Sequence, residues 1–127
     1  MLNITLWALQ FLLALAFLAH GLLMLFPPAS LVAEMNASIP PALRLFIGVA
    51  EVLAAVGLTL PGITRVQPWL VVAAAVGLMV VMVCATVFHI GRGEWSSALT
   101  TAVLLALLAV VAYMRWKVTP LLPRRLA

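Results

Sequence analysis

The sequence predicts an all-α protein, an antiparallel bundle of four transmembrane helices with a short interfacial segment between the first two. Three observations carry this. Of 127 residues, 67% are hydrophobic and only 8% charged, with a mean hydropathy of +1.29. A soluble domain of that length needs far more charge to keep its surface wet. The charges are also spaced so that apolar runs long enough to cross a bilayer lie between them, and Pro- and Gly-bearing breaks separate those runs. This composition excludes a free cytosolic enzyme, a disordered tail and a nucleic-acid-binding module. The pI is near 10.8, but the excess is four charges and the basic residues are not interleaved with aromatics. One cysteine excludes an internal disulfide, a CxxC redox pair and a thiolate zinc site. The chain, residues 1–127, reads as a single membrane domain.

The first span is expected over residues 4–26, an almost continuous apolar run ended by Pro27-Pro28, which cannot continue the helical hydrogen bonding. It lacks the basic n-region of a signal peptide and exceeds the length of an h-region. Residues 29–42 mix Glu34, Asn36, Ser38 and two prolines with apolar side chains, as an interfacial segment does. The second span, about 43–60, is expected to stop at Pro61-Gly62, and the short 61–68 turn makes the third span its antiparallel neighbour. That third span, 69–90, is free of charge and opens on Trp69 as an interfacial anchor. After the Gly91-Arg92-Gly93-Glu94 turn, a fourth span over 97–114 ends in a belt of Tyr113, Arg115, Trp116 and Lys117, with a basic tail at 115–127. The pentapeptide AAVGL at 54–58 and 74–78 has unrelated flanks and marks no repeat. Four spans put both termini on one side with Arg65, Arg115, Lys117, Arg124 and Arg125, which the positive-inside rule assigns to the cytoplasm. Asn36-Ala37-Ser38 has the form of a glycosylation sequon, but the Ala-, Leu-, Val- and Arg-rich composition is bacterial in character and points to the inner membrane.

Glu51 is the most informative residue. It lies eight positions past Leu43, ~12 Å below the outer end of its span, where an acid costs about 2.5–3.5 kcal/mol unless it finds a partner. Arg44, Gly48, Glu51 and Ala55 share its helix face, and the small residues admit a close neighbour. His20, six residues before the end of the first span, lies ~9 Å deep, and His89 lies one residue before the end of the third. Ser97, Thr100 and Thr101 begin the fourth span at that same end, so the polar side chains gather in the outer half and no comparable set marks the inner half. Each also has a plain structural reading: Glu51 as a packing ion pair or protonated hydrogen-bond donor, His20 as a core hydrogen-bonding residue, His89 as an interfacial ring. Cys84 is expected as an inert buried thiol, and Met79 and Met82 as packing. Small residues at Gly48, Ala55, Ala73 and Gly77 suit close helix contacts.

The chain resembles the DoxX-like family of four-helix membrane proteins. The resemblance is carried by His20-Gly21-Leu22-Leu23-Met24-Leu25, by Leu45-Phe46-Ile47-Gly48-Val49-Ala50-Glu51, by Gly57-Leu58-Thr59-Leu60-Pro61, and by the run from Met82 to His89 with Arg92-Gly93-Glu94 after it. It spans about residues 4–114. What it implies is a membrane protein related to the small subunit of a thiosulfate:quinone oxidoreductase, to components of other membrane oxidoreductase complexes, and to distant eukaryotic chaperone-like proteins. Many members carry a lysine in a GxxKL pattern late in the first span; here Met24 stands at that position, leaving Arg44 or His20 to serve Glu51.

The expected function is to bind a quinone or another small lipophilic ligand in an outer-half pocket of His20, Glu51 and His89, with Arg44 nearby. The chain has no dinucleotide motif, cysteine pair or iron–sulfur spacing, so electrons would come from an oxidoreductase partner. One alternative is a structural or assembly subunit without a ligand, in which Glu51 and Arg44 pair with a partner's helices or with further copies of the chain. Another is bis-histidine haem b on His20 and His89.

Overall fold

The computed structural model of the protein describes residues 1–125. Among these there are five α-helices and no strand: α1 Leu2–Leu25, α2 Ala29–Ser38, α3 Pro41–Thr64, α4 Trp69–Gly91 and α5 Trp95–Tyr113. A π-helical turn, Met114–Val118, extends α5. Four of the helices, α5 taken through Val118, are long and apolar enough to cross a membrane. The segment expected at the interface forms α2, none of whose residues is buried.

The α3 boundaries differ from those expected at both ends. Pro41 occupies the first helical position, where its missing amide is harmless and its fixed φ already suits the helix, so α3 starts two residues early. At the other end α3 runs through Pro61 to Thr64 and closes on Arg65 in the left-handed conformation, φ 57°. Pro61 removes an amide from the ladder and its ring pushes the preceding turn open. The carbonyl it leaves without a helical donor is that of Gly57, and the next one, that of Leu58, accepts from outside the helix, from Gln10 Nε2 at 2.7 Å. Membrane helices keep prolines where a neighbour supplies such a bond.

α1 packs along α3, α3 against α4 and α4 against α5, while the seam between α1 and α5 is thinner. The core joins Leu13 and Phe17 of α1, Leu58 of α3, Leu78 of α4, and Leu108 and Val111 of α5. Large apolar side chains such as Leu12, Leu53, Val87 and Leu99 point outward, onto lipid. Because lipid tails are as apolar as leucine, packing and interhelical hydrogen bonds hold the bundle rather than transfer from water.

The tightest approach is between α1 and α3. A Cβ on Gly21 would meet the Gly48 carbonyl oxygen at 3.0 Å and Glu51 Cβ at 3.1 Å, and one on Gly48 would meet Leu25 Cγ at 2.8 Å. Two glycines facing each other therefore bring the backbones together one turn from Glu51. Ala55 is buried on the same face. Ala73 and Gly77, expected at close contacts too, instead face outward, and a Cβ on Gly77 would meet nothing within 4 Å. The reason is angular: the buried face of α4 carries Val71, Ala75, Leu78 and Met82, which positions 73 and 77 do not share. The same geometry corrects the expectation for Cys84, which is exposed, whereas Met82 lies in the core.

Candidate functional site

All five helices contribute to a groove of about 900 Å³ at one end of the bundle. Its walls are mostly apolar (Phe17, Leu23, Phe46, Leu104), and α2 lies along it through Leu31, Glu34 and Met35. His20 and Glu51 line it together. His20 Nδ1 and Glu51 Oε2 share a 2.6 Å hydrogen bond, with the Glu51 side chain 1% exposed and the His20 side chain 49% exposed. The acid is thus fixed inside the bundle and its partner faces the groove. This contact exists because the Gly21–Gly48 approach carries the two residues' backbones within side-chain reach. Ser97, Thr100 and Thr101 line the groove, as their position at the start of the fourth span leads one to expect, and the Thr86 and Thr101 hydroxyls bond at 2.8 Å across α4 and α5.

His89 lines the same groove but belongs to a second pair. Its Nδ1 bonds Glu94 Oε2 at 2.6 Å, while Arg92 Nε donates to Glu94 Oε1 at 2.8 Å. Gly93, at φ +70°, folds the turn so that the carboxylate comes back over the end of α4. The Arg92 guanidinium foremost, and His89 after it, hold the Glu94 carboxyl below the ordinary carboxylate value. Arg44 is not brought to the groove or to Glu51. It is 9% exposed, its Nη1 donates to the Met24 backbone carbonyl, and its Nε is buried with no partner. Of the two residues left to serve Glu51, it is His20 that does so. Arg44 nonetheless sets a cation against the backbone of Met24.

The other end of the bundle corrects the expectation that it lacks a polar set. Arg115, read as part of an exposed belt, is 2% exposed. Its Nε donates to Gln10 Oε1 at 2.5 Å and its Nη1 to Asn3 Oδ1 at 2.6 Å, and its guanidinium lies 5.1 Å from the Trp7 ring centroid. The π-helical spacing re-aims the chain at this point, turning residue 115 toward α1. Trp116 and Tyr113 keep the outward positions expected of them. The signal available in sequence was the seven-residue spacing of Asn3, Gln10 and Phe17, which places two amides on the core-facing side of α1.

Fold and groove together define a small helical membrane protein with a buried acid–base pair opening on an apolar recess. The chain belongs to the DoxX-like family, whose model matches residues 8–111. No curated protein and no solved structure matches it.

Proposed function

We propose that the groove binds a quinone or another small lipophilic ligand bearing a carbonyl, and that the protein works beside an oxidoreductase subunit in a bacterial inner membrane. The observation that carries this reading is the His20–Glu51 bond at the wall of an apolar recess. A bound quinone supplies carbonyl oxygens that accept hydrogen bonds and take up protons on reduction. Glu51 holds the imidazole in one orientation. When the pair holds two protons it is neutral overall, the condition a buried site favours. Nε2 of His20 then carries a proton whichever partner holds the other, and it can donate into the groove. Apolar walls match a ring and its tail, and the threonine and serine hydroxyls add donors.

The topology proposed with this function is antiparallel, with both termini cytoplasmic, because one side then gathers Arg65, Arg115, Lys117, Arg124 and Arg125. The Arg115 bond to Asn3 and the bond from the Arg124 amide to the Arg65 carbonyl support that grouping. A second reading, bis-histidine haem b, is favoured by one feature. Both histidines line the groove with Nδ1 on a carboxylate, the arrangement that leaves Nε2 for a ligand bond. The assembly-subunit reading draws less support, since Glu51 and Arg44 are 1% and 9% exposed and bond within the chain rather than toward a partner.

Purified protein in nanodiscs, titrated with short-chain ubiquinone and menaquinone analogues, tests the proposal. Saturable binding is expected, weakened about tenfold or more in Glu51→Gln with an unchanged melting profile, the scale of one lost charge-assisted bond. Unchanged binding in that variant, or none in the wild type, overturns the quinone reading. A Soret band in the same sample replaces it with haem.

A further inference from the structure

We infer that the opposite end of the bundle is a binding site for the phosphate headgroup of an anionic membrane lipid. A separate cavity of about 600 Å³ lies there, lined by Arg65, Arg115 and Arg124 together with Trp69, Trp116 and Leu121. Three arginines line one recess, and among the described residues no carboxylate lines it. The acidic side chains are three, and all belong to the other end: Glu51 on His20, and Glu34 and Glu94 at the groove.

The recess is built rather than incidental. Arg65 is held in a left-handed cap, and its carbonyl accepts the amide of Arg124 at 3.0 Å, so the tail is folded back onto the α3–α4 turn. Gln67, also at positive φ, accepts from the indole of Trp69 at 2.8 Å and fixes that ring at the rim. Arg115 also lines it; it is 2% exposed, its Nε and Nη1 are taken by the amide oxygens of Gln10 and Asn3, and its Nη2 is buried with no hydrogen-bond partner. Its fixed positive charge has no carboxylate beside it, and phosphate oxygens suit the exposed arginines Arg65 and Arg124 at the same recess. Tryptophans at the rim and apolar Val72 and Leu121 beside the arginines match a group that is charged at one end and acyl at the other, which a free phosphate is not.

The test uses the full chain, delipidated in mild detergent and titrated with dioleoyl phosphatidylglycerol or dioleoyl phosphatidylcholine, bound lipids being counted by native mass spectrometry. Arg115 also braces the bundle, so the variants are Arg65→Gln and Arg124→Gln. Phosphatidylglycerol is expected to be retained in preference, and each variant to weaken it by about fivefold, the factor for one cation near a headgroup. Lys117→Gln removes an equal charge at the same end but outside the cavity, and should weaken retention less than either arginine variant. Equal retention of the two lipids, or an equal loss in Lys117→Gln, overturns the site. Complete displacement of phosphatidylglycerol by millimolar inorganic phosphate overturns the lipid assignment in favour of a free anion.

Discussion

The two ends of this bundle handle their polar side chains differently, although each also buries an arginine on neutral oxygens, Arg44 resting on the Met24 carbonyl at the groove end. At the groove end each carboxylate near a histidine is paired with it, so proton position can change without a change in net charge. At the tail end a permanent cation is set among amide oxygens that cannot titrate, Gln10 and Asn3, and beside the face of Trp7. An arginine retains its charge at any ordinary pH. The first arrangement suits proton chemistry and the second suits bracing and fixed-charge recognition.

The sharpest way to break that contrast is Arg115→Ala. It leaves the Gln10 and Asn3 oxygens without their charged donor and is expected to cost about 2–3 kcal/mol, read as a lowered Tm in detergent. Glu51→Gln keeps shape and hydrogen-bonding capacity and should melt within about 1 kcal/mol of wild type. If the two variants melt alike, the division into brace and site is wrong. Next in size is Gly48→Ala, whose new methyl meets Leu25 and the Gly21 carbonyl; about 1–3 kcal/mol is expected, with Gly77→Ala neutral to within about 0.5 kcal/mol. Comparable losses at both glycines would show that the α1–α3 approach is not special.

Smaller effects concern the groove alone. Cys84 is exposed and lines it, so a lipid-permeant maleimide should label the thiol, and more slowly once the groove is filled by a quinone analogue. Labelling unaffected by a saturating ligand would place the ligand elsewhere. The smallest effect is electrostatic. Because Arg92 and His89 lower the Glu94 value below the ordinary 4.5, their clamp contributes fully above that value and is lost as pH falls through the depressed one. A melting profile should therefore decline slightly below about pH 4.5, and the decline should disappear in Glu94→Gln.

How much of this was legible in the sequence follows the same division. The four spans could be read because hydropathy and charge spacing depend only on composition along the chain. The meeting of His20 with Glu51 could be anticipated from their matched depths and the glycines beside them. Arg115 could not, since a cation next to Trp116 at a span's end has every mark of a lipid-facing belt, and nothing in residues 114–118 announces the change of helical spacing that turns it inward. Gln10 was hidden inside an apolar run whose mean hydropathy it hardly alters. Ala73, Gly77 and Cys84 depart from expectation because angular position, which neither small size nor the lack of a cationic neighbour reveals, decides which face of α4 is inside.

The π-helical turn has a consequence for insertions and deletions in this stretch. A π turn is an α turn widened by one residue, so a single-codon deletion within residues 114–118 that restores α spacing takes up the widening and leaves the chain on either side nearly in register. The tail would still return to the Arg65 carbonyl, while the side chains inside the turn would be re-aimed and Arg115 would lose its place against Gln10 and Asn3. Reading frame and hydropathy would both survive such a deletion, so a lineage carrying it would keep a four-span profile and the path of its tail while losing that brace.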